Sequence, residues 1–510
     1  IASCLVGSEM CIRDSIGDDP AKLTIHKYEN PSELHTGNGE EDENVKGNAL
    51  SGVGFTAYKI DGDITNQTVF NEIATLANER NIKGARDRGL GPAIDLGKTA
   101  DGSLTKELPV GAYLIEETTP PVSDTATYVK ADPFIVFLPM TASDGKSWNR
   151  DVHVYPKNSM ARITKAVVDD KVNAEDENRP NDQKVVTYTL DGIVPATPEN
   201  RTLSAFNIND SYNNAELRLD EGFVNKVEVV RGTTRTELTA GTDYTVTSAN
   251  ETAGKNVAEA SSSGQAYNAG FTISLTEAGL GKVQVNDHVV ATVEATLLNA
   301  NTRDGQDIYN DVNLTGTFER TPGSFTDTEE TPGTWETPHD EVVTYLGNIE
   351  VYKTDDAKKP LAGATFDLYR CGAKDNVLQT GMSDASGVIN FQGLHVTNWR
   401  NNEPAPENEV FDYCVVETKA PDGYSKDTAE KKITLTKEDR KVRNAEGVYN
   451  QVADTDTAAL RMNGVTVANI KSTTPTLPAT GGMGVLIIAL AGLAIIGGGV
   501  YAARRNSQSA

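Results

Sequence analysis

The chain has 510 residues, with 47 Lys+Arg against 73 Asp+Glu and a formal charge of -26. It has no basic block beyond the terminal Arg504-Arg505 pair, so it lacks the concentrated cationic surface that phosphate backbones require, and nucleic acid is excluded as a partner. Its length allows three or four domains of about 100 to 200 residues each. An apolar content of 38%, with abundant Thr, Val, Asp and Asn, favours stacked β-sandwiches with solvated faces over helical bundles.

Residues 1–15 stand apart from the rest, with no initiator Met, no basic n-region and no continuous apolar h-region. They read as foreign sequence, which leaves the secretion signal missing and gives Cys4 and Cys11 no role.

An alternating strand follows, Leu23-Thr-Ile25-His-Lys27, which places its apolar residues and its lysine on one face at period two. After it come Leu50-Ser-Gly52-Val-Gly-Phe55-Thr-Ala-Tyr58 and an amphipathic helix over Thr68 to Arg80, with Val69, Ile73, Leu76 and Ala77 at helical spacing. Tyr113 to Thr118, with Glu117, reads as a later strand. The same frame returns far downstream as Ile349-Glu-Val351-Tyr-Lys353, then Leu361-Ala-Gly363-Ala-Thr-Phe366-Asp-Leu-Tyr369, then Tyr413 to Thr418. A more diverged central copy opens with Ile163-Thr-Lys165, Val167 and Val168.

Cys371 and Cys414 form an even pair in an exported chain, so a disulfide is expected, worth about 4 kcal/mol for a loop of that size. No CxxC accompanies them, which argues against a metal.

Between the first two copies stands Trp148-Asn-Arg-Asp-Val152-His-Val154-Tyr155-Pro156-Lys157-Asn158. Near the C-terminus, Leu477-Pro478-Ala479-Thr480-Gly481 precedes an apolar run from Met483 to Ala503 and then Arg504-Arg505. At about 1.5 Å per residue the run reaches roughly 31 Å, the thickness of a bilayer core. The arginines put the C-terminus in the cytoplasm and everything before about residue 475 outside the cell.

The repeated units resemble Cna B-type immunoglobulin-like sandwiches. The last is the best match, through Ser383-Asp-Ala-Ser-Gly387-Val-Ile-Asn-Phe391 and the E-box-like Glu417-Thr-Lys-Ala-Pro421-Asp-Gly-Tyr424. Together with the Trp-Val-Val-Tyr-Pro-Lys frame and the sorting signal, the chain resembles the LPXTG-anchored major pilins, fimbrial backbone subunits of the SpaA type. The fold expected is all-β, a tandem array of such sandwiches ahead of one transmembrane helix. Expected boundaries are 16–158 for an N-terminal pilin domain ending in the pilin motif, 159–340 for a middle domain, 341–471 for the C-terminal domain and 472–510 for the sorting signal. Thr321 to His339, rich in Pro, Thr and acidic residues, reads as a linker or surface loop at the end of the middle domain.

The resemblance implies that a sortase cysteine attacks Thr480, expels Gly481, and yields an acyl-enzyme that Lys157 of another copy resolves. The implied partners are a class C pilin sortase, other copies of this chain, tip or base pilins, a housekeeping sortase with peptidoglycan as final acceptor, and a host or bacterial surface receptor. It also implies amide bonds within each domain, formed when a neutral buried lysine attacks Asn beside a protonated acid. The implied sets are Lys353, Asn469 and Glu417; Lys165, Asn310 and Asp210, with Asn313 as a rival acceptor on the opposite face; and Lys27, Asn158 and Glu117, where the Gly-Tyr ending of the E-box is missing. The plain alternative for each set is a buried ion pair hydrogen-bonded to Asn.

No Gly-rich phosphate loop, His-Glu-x-x-His helix or Gly-x-Ser-x-Gly elbow is present, so the chain is expected to be neither an enzyme nor a cofactor binder. Its six histidines are scattered, and His26 and His153 fall on polar strand faces, so no metal is expected there. Thr326 to Glu330 reads as a solvated acidic loop rather than a calcium site. The competing readings are a wall-anchored adhesin that does not polymerise and a surface enzyme carried on sandwich domains.

Overall fold

The computed structural model describes residues 16–30, 38–42, 45, 47–145, 147–169, 185–198, 201–250, 267–298, 307–320, 333–438, 441–443, 449–451 and 462–472. Residues 1–15, the Leu477 to Gly481 motif and the Met483 to Ala503 run lie outside the described residues. No helix among the described residues is long and apolar enough to cross a membrane. The described chain is mainly β-strand, as expected, and packs as two compact units. One comprises residues up to 347 together with 392–410 and 436–438; the other comprises 348–391, 411–435 and the residues from 439 on.

The first unit holds two sandwiches in sequence. In the first sandwich, Ala21–His26 is the centre of a three-stranded sheet, antiparallel to Ser103–Leu108 and parallel to Asp151–Val154. Ala21, Leu23 and Ile25 alternate inward and are fully buried. They meet Phe55, Tyr113 and Ile115 from a facing sheet ordered Leu90–Lys98, Gly54–Ile60, Gly111–Thr119, Phe134–Leu138. The predicted amphipathic helix is Gln67–Asn78, started by the Asn66 side chain, which accepts hydrogen bonds from Thr68 N and Val69 N. A second helix, Ile82–Arg88, follows, and the pair buries Ile73 and Ala85 with Ile60, Ala112 and Leu114.

In the second sandwich, Ser159–Val168 and Val185–Ile193 lie in a seven-stranded sheet with His288–Leu297. It faces a six-stranded sheet centred on Arg201–Tyr212 and Ile308–Arg320. Phe206, Phe271, Phe318, Ile163, Leu190 and Val293 share one core. The segment read as a linker behaves differently in part: Gly333–Glu336 is a strand paired with Ile308–Arg320, and Trp335 is buried in the core. The Pro, Thr and acidic composition masks this strand, because one large aromatic supplies the burial. Trp335 lies directly over Gly316, where an added Cβ would fall 2.1 Å from the indole.

In the second unit, Leu346–Asp355 and Met462–Asn469 pair in parallel, and the facing sheet is ordered Gln379–Met382, Thr365–Arg370, Tyr413–Lys419, Lys431–Ile433. The expected disulfide joins Cys371 and Cys414 with their Cα atoms 5.0 Å apart. The sequence repeat has a backbone basis: Gly52 and Gly363 have φ of 82° and 85°, the left-handed region that favours glycine.

Trp335→Ala should cost the second sandwich about 3 kcal/mol, because the residue fills a groove made by a glycine and nothing else can collapse into it. Hydrogen exchange should report this as lost protection in Arg201–Tyr212 and Ile308–Arg320, with Ala21–His26 unaffected.

Candidate functional site

Three lysines lie deep in the sandwiches, Lys165 and Lys353 within the first strand of their own sandwich and Lys27 directly after its first strand. Lys27 and Lys353 are fully buried, and Lys165 is nearly so. The Lys353 ammonium donates to Asn469 Oδ1 and, at 3.3 Å, to Val467 O; it lies 3.6 Å from Glu417 Oε1. Asn469 Nδ2 in turn donates to that same Glu417 oxygen at 2.8 Å. The other Glu417 oxygen accepts from Asp427 N at 2.7 Å. Lysine, asparagine and acid therefore close a triangle inside the core. Burial pushes the Lys353 amine below its ordinary range, against the opposing pull of Glu417.

The first sandwich repeats the backbone frame of this site in register. Lys27 Nζ donates to Pro156 O at 2.9 Å, two residues before Asn158, as Lys353 does to Val467, two residues before Asn469. Glu29 bridges Asn158 in parallel, just as Asp355 pairs with Asn469. Phe55 pairs with Glu117 and Phe366 with Glu417, each across a register shift. Lys27 lies 2.9 Å from Glu117 Oε2, and burial lowers its pKa to about 8. Asn158 is fully buried, and both its amide atoms, like Glu117 Oε1, have no hydrogen-bond partner among the described residues. The backbone frame of this site thus survives the missing Gly-Tyr ending, but its triangle is open, with Asn158 hydrogen-bonded to neither Lys27 nor Glu117.

The middle site is built differently. Lys165 is on one sheet, and Asp210 and Asn310 are on adjacent strands of the facing one. Its ammonium pairs with Asp210 Oδ2, while Asn310 Nδ2 donates to Asp210 Oδ1 at 2.9 Å. Asn310 Oδ1 is buried with no hydrogen-bond partner among the described residues. Burial lowers the Lys165 amine and raises the Asp210 carboxyl, each toward its neutral form. The rival Asn313 is turned elsewhere and donates to Glu336.

Lys157 is half-buried in the stretch between Asp151–Val154 and Ser159–Val168, next to the fully buried Asn158. Val152 of the same motif is fully buried, Trp148 sits edge-on to Phe70, and Tyr155 stacks on His26 at 4.5 Å. Thr480 lies outside the described residues, so the structure places only one of the two implied reacting groups.

Sequence reasoning missed two features. Asn30 fixes the segment beyond Lys157: its Oδ1 accepts from Met160 N and Ala196 N at 2.7 and 3.0 Å, and its Nδ2 donates to Met160 O. No spacing announces it, since its partners are far along the chain; its positive φ is the one local trace. The second is the pair His26 and His153, set aside in the sequence and brought side by side by the parallel pairing of their strands.

Residues 18–159 match the family model for the N-terminal domain D1 of Gram-positive pilin subunits, and residues 347–447 match that for the SpaA prealbumin-like fold domain. The chain is 27% identical to fimbrial subunit type 1 of Actinomyces viscosus, over 96% of this chain and 91% of that protein. It is also 27% identical to fimbrial subunit type 2 of Actinomyces naeslundii, over 93% and 87%. Among solved structures, the full-length major pilin SpaD of Corynebacterium diphtheriae is similar, with a TM-score of 0.62, 24% identity, and coverage of 91% of this chain and 100% of that one. The fimbrial protein FimP of Actinomyces oris has a TM-score of 0.51 at 23% identity, over 89% and 98%. At these identities the two structures attest the fold.

In an Asn158→Ala chain, where no amide can form at Lys27, that amine should titrate near 8. Its folded pKa then lies below the ordinary 10.5, so the unfolded chain binds more protons between the two values. Stability should therefore rise with pH across that window, with the destabilisation fully present below about 8. Adding Lys27→Met should flatten the rise; equal slopes in paired pH-dependent unfolding series would contradict this assignment.

Proposed function

Because the chain is a fimbrial pilin of the SpaA type, we propose that it is the shaft subunit of a sortase-assembled fimbrium on a Gram-positive cell, with Lys157 of one copy joined to Thr480 of the next. The domain limits 16–158, 159–340 and 341–471 belong to this reading, and the family matches to 18–159 and 347–447 support the first and third.

In the intermolecular step a sortase thiolate attacks the Thr480 carbonyl and the Thr480–Gly481 bond breaks, releasing the span and its Arg-Arg tail. The neutral Lys157 amine then attacks the thioester, an amide forms, and the thiolate leaves. Pro156 restricts Tyr155 to extended geometry, and the stacking of Tyr155 on His26 holds the segment that presents the lysine. The last copy passes to peptidoglycan through a housekeeping sortase.

Within each subunit, Lys353, Lys165 and Lys27 attack Cγ of Asn469, Asn310 and Asn158. The acids Glu417, Asp210 and Glu117 shuttle the proton, and ammonia leaves. These are single events in the life of a chain and not turnover. The observations that carry this part are the closed Lys353–Asn469–Glu417 triangle and the buried Asn158 amide, which has no hydrogen-bond partner among the described residues. A buried polar atom with no partner costs about 1 to 3 kcal/mol, and amide formation expels the Asn158 Nδ2 as ammonia, while the side-chain carbonyl oxygens stay in the new amides.

Lys157→Ala should abolish the high-mass ladder of surface polymers while leaving monomer secretion and folding unchanged; persistence of the ladder would refute the assignment. Intact-mass measurement of the monomer should show the loss of one ammonia for each of the three sets, and Glu417→Ala, Asp210→Ala and Glu117→Ala should each restore one. An unshifted mass in the unaltered chain would leave ion pairs as the correct description of all three.

A further inference from the structure

We propose that His26, His153 and Glu41 form a binding site for one zinc-class divalent ion on the face of the first sandwich that carries the pilin motif. Their nearest ligand atoms all lie within 4.8 Å of one another. Two imidazoles and a carboxylate are a donor set that zinc takes with a fourth position left for water. Calcium is disfavoured because it requires six to eight oxygens.

The imidazoles already face one another nitrogen to nitrogen, His26 Nε2 to His153 Nδ1 at 2.8 Å. The far nitrogen of His153 lies 3.2 Å from Asp151 Oδ1, and Asp151 is itself tied to Lys22 at 2.6 Å. A proton on that nitrogen is held by the carboxylate, which leaves the Nδ1 lone pair directed at His26. This is the arrangement by which a carboxylate fixes the tautomer of a metal-bound histidine. Only one proton fits between the two facing nitrogens. Metal exchanges for that shared proton, and the nitrogens need to separate by about half an ångström to reach tetrahedral spacing.

Glu41 is exposed, but the backbone on either side of it is anchored to the strand that bears His153. Gly39 O accepts from His153 N at 3.0 Å and from Asn149 Nδ2 at 2.7 Å, and Asp42 N donates to Tyr155 Oη at 2.7 Å. The side chain thus has only its own rotamers to search. A bound ion would tie three chain segments together two residues from Tyr155–Lys157, fastening the 38–42 loop beside the acceptor lysine.

The test uses the full chain in detergent with Cys4 and Cys11 changed to Ser, so that no stray thiolate competes, stripped with chelator and titrated with zinc at physiological salt. One equivalent should bind with micromolar or tighter affinity. Glu41→Gln, an exposed change that leaves the fold alone, should weaken binding at least tenfold; Asp151→Asn should weaken it about tenfold through the tautomer; His153→Ala should abolish it; and His288→Ala should change nothing. Absence of saturable binding, or binding indifferent to Glu41→Gln and His153→Ala, would overturn the proposal. Lys157→Ala should bind zinc normally, so failure of the polymerisation reading and failure of this one are told apart.

Discussion

A lysine buried at the end of a first strand is the constraint from which the rest of each sandwich follows. Moving an ammonium out of water costs several kcal/mol, and a nearby carboxylate recovers that only when its geometry is good and its remaining oxygens are satisfied. Lys27, Lys165 and Lys353 each have one acid and one asparagine within the same buried pocket. Each also has an aromatic ring beside it, Phe55, Tyr188 and Phe366 respectively, at 4.8 to 5.8 Å from ammonium to ring centre. The ring lowers the local dielectric, which sharpens the ion pair and at the same time favours the neutral forms of both partners. An amide deletes the lysine charge altogether, and the acid can then rest protonated as a hydrogen-bond donor. The environment that makes the ion pair costly is thus the one that promotes its removal.

The three sites gather lysine, asparagine and acid by two architectures. In the last sandwich lysine and asparagine lie on parallel neighbouring strands of one sheet, in the first they lie just past the ends of two such strands, and in both the acid comes from the facing sheet. In the middle one, asparagine and acid share a sheet and the lysine reaches across. The chemistry requires only that three groups meet in a dry space, so either layering serves. The matching offsets around Lys27 and Lys353 show that the first and last sandwiches use one frame, despite their different lengths and the helices inserted in the first.

Much of this was legible in the sequence because alternation is a strong signal. Leu23, Ile25 and Lys27 had to share a face, and the recurrence of Leu-x-Gly-x-x-Phe marked a repeated unit, whose glycine the structure shows to be left-handed and whose Phe is in the core. The cysteine pair followed from parity and compartment. What escaped depended on contacts between distant segments. Trp335 sits in a stretch whose Pro and Thr content suggests solvent, and only Gly316, nearly twenty residues earlier, makes room for it. Ile82–Arg88 is too short for a periodicity to appear. Asn30 and the two histidines gain their meaning only from parallel pairing, and no single-strand pattern specifies the partner of a strand or its register.

The proposed bonds have a mechanical consequence that depends on where the joint lies. If tension enters at Lys157 and leaves at Thr480, the path runs through the second and third sandwiches and bypasses residues before 157. A bond from Lys165 to Asn310 removes the chain between them from that path, and one from Lys353 to Asn469 does the same for the last sandwich. Force would then act only on 157–165, 310–353 and 469–480, and of these 310–353 still carries core strands, most of Ile308–Arg320 and Gly333–Glu336 with Trp335, so it is the part of the load path that the bonds leave unshielded. On this argument the Lys27–Asn158 set has a different task. It lies off the load line but adjoins its origin, and a covalent tie at Asn158 would hold the neighbouring Lys157 against its own domain. That would keep the acceptor in place for the joining enzyme and anchor the first sandwich to a shaft it does not itself help to carry.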